Sequence, residues 1–220
     1  MRATSQTATQ TQERTRRHFR AKAWSFDRLY DEESRVQRLV RPALFARREL
    51  AVSVVAASPG AEVLDVGCGS GRVAEHVLEA GAGRYVGVDF SAPMLDLARG
   101  RLERFGPKVE LVEADFLTAP LDGPFDVILA LGFFDYTPEP YAFTRRMFDL
   151  CSGSGVVVAS FPSWTWVKGP IRKVRYEIIN DCPIFNYTRR ELEFLFRASG
   201  FSRLDIIPCR RSVFLVKAYR

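Results

Sequence analysis

Val63-Leu-Asp-Val-Gly-Cys-Gly-Ser-Gly71 is the stretch that decides the fold. It begins inside a short apolar strand, Glu62-Val-Leu-Asp-Val66, and runs into glycines spaced G-x-G-x-G. Glycines at such a turn permit positive φ and let a ligand approach the backbone closely. The dinucleotide fingerprint carries its third glycine one position later, as G-x-G-x-x-G, which argues against NAD and FAD. A P-loop is excluded, because the chain holds no Gly-Lys-Ser/Thr.

Outward from this turn, strands and helices alternate. A helix pattern runs to about Ala80, and Arg84–Asp89 reads as a second strand. Ser91 is a good N-cap, with Pro93 in the first turn of a helix reaching about Arg104. Val109–Glu113, Phe125–Leu131 and Gly155–Phe161 are further strands, with a helix over 138–150. These apolar, β-branched runs suit a parallel sheet covered on both faces. The C-terminal part differs. Thr188 and Glu191 form a capping box that opens a helix, and Gly200 closes it. Two strand runs follow, Ser202–Ile207 and Ser212–Tyr219, separated only by Pro208–Arg211. No crossover helix fits in that gap, so these two strands are expected to be antiparallel. The expected fold is α/β: a seven-stranded, mostly parallel sheet with helices on both faces and an antiparallel last strand.

Three regions lie outside that alternation. Residues 1–17, rich in Thr, Gln and Arg, read as a disordered arm. Residues 18–57 read as an N-terminal helical cap on the main domain, 58–220. Residues 162–187 form an insertion holding Trp164, Trp166, Lys168, Arg172, Lys173, Arg175, Tyr176, Phe185 and Tyr187. That insertion is expected to be a lid or substrate-binding element.

Composition narrows the function classes. With 220 residues, 47% hydrophobic and 26% charged, the chain is expected to bury a full core as an ordinary soluble domain. No apolar run approaches about 18 residues, so a spanning helix is not expected. An apolar signal segment is missing too, so cytoplasmic placement is expected. Cys68, Cys151, Cys182 and Cys209 form no C-x-x-C, and the only histidines are His18 and His76. No metal site is therefore expected. The net charge of +6 is uneven: residues 1–50 carry +6, 51–161 carry −7 and 162–220 carry +7. Basic flanks of this kind either solubilise helices or attract an anionic small molecule, an anionic lipid surface or a nucleic acid.

The strand ends carry the candidate site. The first strand ends beside Asp65, and the second ends in Asp89. A carboxylate at the C-terminal end of a parallel strand can take both hydroxyls of a ribose. After the third strand, Asp115 offers an acceptor for an adenine amino group and Phe116 an aromatic face. The fourth strand ends at Leu131-Gly132, followed by Phe133-Phe-Asp-Tyr136. All these ends fall on one edge, near the switch between the first and fourth strands.

This ordered set resembles the class I S-adenosylmethionine-dependent methyltransferases, whose fold is Rossmann-like. Val63–Gly71 matches the family's D-x-G-x-G-x-G motif, Asp89 its acidic ribose ligand, and Asp115 with Phe116 its adenine-contacting pair. The resemblance implies S-adenosylmethionine as cofactor and S-adenosylhomocysteine as product. It further implies that Asp65, Gly67, Gly69 and Gly71 surround the methionine moiety, with Phe90 and Met94 near the adenosine and Leu131 under the reaction centre. The N-terminal Phe26-Asp-Arg-Leu-Tyr30 and Ser34-Arg-Val-Gln-Arg38 are weakly similar to magnesium-protoporphyrin O-methyltransferases and to quinone-pathway methyltransferases. In the porphyrin enzymes an N-terminal tyrosine and a histidine after the fourth strand are the catalytic candidates. Here Tyr30 matches the first, and Asp135 stands at the second position.

Tyr30, Asp135 and Tyr136 are accordingly the catalytic candidates. Asp135 is a general base if the nucleophile must lose a proton, or else a helix cap or substrate ligand. The expected activity is O- or C-methylation of a small aromatic, apolar or anionic metabolite. A nucleic-acid methyltransferase is the alternative, disfavoured because no N/D-P-P-Y/F follows the fourth strand. A cofactor-binding regulatory protein without turnover is the third reading, and a membrane surface is a less favoured partner for the basic insertion.

Overall fold

The computed structural model describes residues 13, 14, 17, 42–137, 139–163, 184–209 and 213–220. Tyr30, most of the expected cap and residues 164–183 of the insertion lie outside the described residues. A helix, α1 (Pro42–Ala56), precedes the alternation β1 (Glu62–Val66), α2 (Arg72–Glu79), β2 (Arg84–Asp89), α3 (Ala92–Leu102) and β3 (Val109–Glu113). Then come β4 (Phe125–Ala130), α4 (Pro140–Leu150), β5 (Cys151–Pro162), α5 (Arg189–Ala198), β6 (Arg203–Cys209) and β7 (Val213–Tyr219).

The seven strands form one sheet in the order β3-β2-β1-β4-β5-β7-β6. β1 pairs in parallel with β2 and β4, β2 with β3, and β4 with β5. β7 runs antiparallel to both β5 and β6. The hairpin expected from the short 208–211 connection is present, with β7 lying between β5 and β6 rather than at the rim.

Alternation along the strands builds two cores, because successive side chains point to opposite faces. Val63, Tyr85, Val127, Leu129 and Val158 meet Ala51 and Val55 of α1, Ala74 and Val77 of α2, and Leu95, Ala98 and Leu102 of α3. Leu64, Val66, Val86, Val88, Ile128 and Val157 meet an aromatic cluster of Phe116, Phe134, Phe143, Phe161, Tyr187, Phe196 and Phe201. Each fully buried Val, Leu, Ile or Phe contributes roughly 1.5–3 kcal/mol. Among the described residues, no helix is long and apolar enough to cross a membrane.

Two local expectations need different accounts. The capping box at Thr188 and Glu191 is fully formed. Ser91 occupies the N-cap of α3, but its hydroxyl makes no capping bond. The first-turn N–H groups of Met94 and Leu95 donate instead to the Ser91 carbonyl, at 3.0 and 3.1 Å, while Asp89 Oδ1 accepts from the Ser91 N–H itself at 2.9 Å. The helix expected to reach Arg104 ends at Leu102 and passes into 3-10 turns over Glu103–Lys108, broken at Gly106, where φ is +55°.

Candidate active site at the carboxyl edge of the sheet

The order β2-β1-β4 places the chain reversal of the sheet between β1 and β4. Side chains following β1 to β4 therefore converge on one edge, where α/β sheets bind ligands. Gly67, Gly69 and Gly71 all adopt positive φ, at +73°, +55° and +75°. At Gly69 an added Cβ would meet nothing within 4 Å, so the loop presents bare backbone to open space. Gly67 has a different reason to be glycine: a Cβ there would stand 2.9 Å from Phe133 Cδ2. The loop is tied to β2, with Gly67 and Cys68 both donating to the Val88 carbonyl.

Asp89 braces the same loop. Its Oδ2 accepts from the Gly69 N–H at 2.9 Å, while Oδ1 takes Ser91. The Phe90 N–H also bonds to this carboxylate, so of about four acceptor positions one remains for a ligand. Burial pushes the Asp89 carboxyl upward, and the N–H groups of Ser91, Gly69 and Phe90 oppose the shift by stabilising the anion. Asp65 is deeper, only 3% exposed, and accepts from the Tyr85 hydroxyl at 2.8 Å. Desolvation pushes its carboxyl up to about 7, Tyr85 opposes the shift, and Asp89 adds to it. The Cys68 thiol is driven well up by burial and then by Asp65 and Asp89, so it stays protonated and is no nucleophile.

The β3 edge supplies Asp115. Its Oδ1 accepts from Leu117 N–H at 2.9 Å, and its carbonyl takes Thr118 and Ala119. Ala114 N–H donates to the Asp89 carbonyl, fastening this turn to β2. Arg146 of α4 reaches across to the Leu117 and Ala119 carbonyls and lies over the Phe116 ring. Phe116 is 4% exposed and stacks on Phe143. Its ring is thus a floor under the edge rather than a free face. Met94 is buried in the first turn of α3, and Leu131 packs half-buried at the end of β4.

After β4 the chain turns at Gly132, whose N–H donates to the fully buried Ser160 hydroxyl at 2.8 Å. A 3-10 turn, Phe134–Tyr136, then places Asp135 at 6% exposure with Tyr136 half-buried beside it. Arg47 of α1 comes to 3.8 Å from Asp135 Oδ1. The carbonyl of Asp135 accepts from Phe185 N–H at 2.9 Å, and Tyr187 donates its hydroxyl to the Thr137 carbonyl at 3.2 Å. The helical cap, the β4 edge and the exit of the insertion therefore meet at one turn. The sheet brings together every expected cofactor residue and also Asp135 and Tyr136; Tyr30 lies outside the described residues. Arg47, Tyr85 and Ser160 were not anticipated. Period-two alternation could have marked Tyr85 as sharing a face with the first strand's Asp65, but no local pattern marks Arg47 or Ser160.

At the opposite edge lies a recess of about 240 Å³ lined by Ser58, Gly60, Asp126 and Ser154, among others. There Asp126 already accepts from Glu62 N–H and the Ser152 hydroxyl, a structural arrangement. Among the described residues no group of three His, Cys, Asp or Glu could hold a metal ion.

Residues 63–158 match the family described as a methyltransferase domain. Over that stretch the chain is similar to methyltransferases. Demethylmenaquinone methyltransferase of Thermus thermophilus is 35% identical over 118 residues, covering 52% of this chain and 54% of that protein. Ubiquinone biosynthesis O-methyltransferase of Thiobacillus denitrificans is 40% identical over 104 residues, covering 46% and 44%. The chain thus spans about half the length of the curated relatives it matches. Magnesium protoporphyrin IX methyltransferase of Synechocystis, solved with bound S-adenosylhomocysteine, superimposes with a TM-score of 0.76 at 20% identity, covering 96% of this chain and 99% of that one. That likeness establishes the methyltransferase fold over nearly the whole chain. The expected similarity to quinone-pathway methyltransferases is found among the sequence relatives, and that to porphyrin methyltransferases among the solved structures.

Proposed function

We propose that the chain transfers a methyl group from S-adenosylmethionine to an oxygen or carbon of a small aromatic, apolar or anionic metabolite. The observation that carries this reading is the edge formed by Gly69 and Asp89: open backbone over the first loop, braced by a carboxylate with acceptor capacity to spare. The residues fit the cofactor. Asp89 takes the ribose hydroxyls with Phe90 beside the adenosine, Asp115 accepts from the adenine amino group, and Met94 packs near the ring. Asp65, Gly67, Gly69 and Gly71 surround the methionine moiety, and Leu131 lies under the reacting centre. When bound, the cofactor supplies a methyl carbon made electrophilic by its sulfonium.

The protein's part is then to align and to exclude water. Displacement at carbon is in-line, and holding the two reactants in register supplies much of the rate. The Phe133 ring against Gly67 keeps water from one side of the loop. Asp135, with Tyr136 next to it, is the carboxylate placed to receive a proton when the acceptor atom is a hydroxyl. The cap over 18–57, with Tyr30, and the insertion over 162–187 complete the acceptor side. Both join the site through the Asp135 turn, which is why acceptor choice is assigned to them. The quinone-pathway relatives support a small-molecule acceptor, and no specific observation favours a nucleic acid.

The test is incubation with methyl-labelled S-adenosylmethionine and fractionated extracts of the source cell, followed by mass spectrometry. Label in a small, extractable metabolite is the expected result. Label only in RNA, or cofactor binding with no transfer in any fraction, would overturn it.

A further inference from the structure

The turn that follows β3 is held at both ends. At its start Asp115 Oδ1 accepts from the Leu117 N–H at 2.9 Å, and the Asp115 carbonyl takes Thr118 and Ala119. At its end comes Pro120, which has no N–H to donate and stops the helical path. The last carbonyls of the turn therefore lack the donors that a further turn would bring. Arg146 supplies them from α4: Nη1 donates to the Leu117 carbonyl at 2.7 Å and Nη2 to the Ala119 carbonyl at 2.5 Å. Three residues earlier on the same face of α4, Phe143 stacks on Phe116 with ring centroids 6.2 Å apart. On the other side the Ala114 N–H ties the turn to the Asp89 carbonyl. Asp115 thus stands between two anchors, one on β2 and one on α4. The α4 anchor needs a planar fork, because an ammonium does not hold two carbonyls in one fixed geometry. Arg146 Nε is buried and makes no hydrogen bond among the described residues, a cost that the two bonds of the fork must outweigh.

We infer that Arg146 is a positioning residue for recognition of the cofactor's base. It fixes the turn so that the Asp115 carboxylate meets the adenine amino group, and it is the source of a preference for adenine over hypoxanthine. Without the fork the Leu117 and Ala119 carbonyls turn toward water, and Asp115 moves with them. A hydrogen bond weakens steeply once its angle is lost, so the amino group is then no longer read. This role rests on the methyltransferase reading, which sets the adenine amino group on Asp115, and adds to it the side chain that aims the carboxylate. Arg146 acts through Asp115 and through no contact of its own with the cofactor.

Calorimetry on the full chain tests it with S-adenosylhomocysteine and S-inosylhomocysteine, which carries a carbonyl where adenine has its amino group. The parent should bind the adenine compound about tenfold to a hundredfold more tightly, the scale of one hydrogen bond to a charged group. In Arg146→Gln the preference should shrink to within about threefold, through weaker S-adenosylhomocysteine binding, with S-inosylhomocysteine within about threefold of its parent affinity. Arg146→Lys, which serves one carbonyl at a time, should keep part of the preference. In an Asp115→Ala background Arg146→Gln should change the preference no further, because the two residues act as one unit. A merely structural arginine would lower the unfolding midpoint and weaken both compounds alike. A preference as large in Arg146→Gln as in the parent, whatever its midpoint, overturns the inference, as does a parent that does not prefer adenine or a further fall in the Asp115→Ala background. If Arg146→Gln fails to fold, Arg146→Lys is judged by the same selectivity. A parent chain that binds neither nucleoside would instead sink the methyltransferase reading itself.

Discussion

Phe133 lies against Gly67 so closely that a Cβ at residue 67 would stand 2.9 Å from its ring. The backbone at Gly67 is also left-handed, with φ at +73°. Gly67→Ala must therefore bear a left-handed alanine, roughly 1–2 kcal/mol, and displace a partly buried ring. At about 2–4 °C per kcal/mol for a chain of this size, the midpoint of thermal unfolding should drop by roughly 2–8 °C. Scanning calorimetry checks this, and an unshifted midpoint would show that Phe133 moves aside freely.

Asp89→Ala should weaken both S-adenosylmethionine and S-adenosylhomocysteine by about one to two decades, the scale of hydrogen bonds to a charged group. The variant also frees the Gly69 N–H that Asp89 Oδ2 now accepts. Titration calorimetry on the folded variant decides the matter. Affinity equal to the parent's would remove Asp89 from the ribose.

Asp65 makes stability depend on pH in a defined direction. Its carboxyl sits at about 7 in the folded chain, against roughly 3.9 when unfolded. Between those values the folded state binds more protons, so this group's contribution to stability falls as pH rises from about 4 to about 7 and is flat above. Asp65→Asn keeps an acceptor for Tyr85 and removes the titration. The difference in unfolding free energy between variant and parent should therefore grow in the variant's favour across that window, by a few kcal/mol at most. Urea unfolding at a series of pH values measures it, and a pH-independent difference would contradict the buried-carboxylate account.

Ser160→Ala leaves the N–H of half-buried Gly132 without its acceptor. The cost should be about 1–3 kcal/mol. Amide exchange at Gly132 should accelerate with it. Unchanged protection would mean that another acceptor replaces the hydroxyl.

Tyr187→Phe removes the hydroxyl that donates to Thr137 and keeps the ring packed on Phe161. A loss of about 1 kcal/mol is expected, with faster proteolysis of the 162–187 segment as the more sensitive readout. Equal cleavage rates would show that the backbone bonds of Phe185 and Tyr187 suffice.

Most of the cofactor edge was legible because its signals are local. Positive-φ glycines, a carboxylate ending a strand and a hairpin too short for a crossover each act within a few residues. Arg47 was not legible for the opposite reason. It is one arginine in a basic flank, and only the docking of α1 onto α2 and the sheet brings it over β4. Phe116 shows the same limit in miniature: its place after the third strand is readable, but the turn of its ring onto Phe143 is decided by α4. Ser91 was assigned to the right position with the wrong bond, since the Met94 N–H donates to its carbonyl and not to its hydroxyl.

The insertion begins and ends at one place. Tyr187 N–H donates to the Pro162 carbonyl at 2.8 Å, and Ser163 bridges to Tyr187. Whatever length of chain lies between them, its ends are fixed to the sheet by backbone groups that any sequence can supply. Closing such a loop costs only about 0.6 kcal/mol more for each doubling of its length. Anchors of this kind would let the chain between them change in length or sequence while Gly67, Gly69 and Asp89 stay where they are. One cofactor-binding frame can in this way be inherited by enzymes that no longer share a substrate.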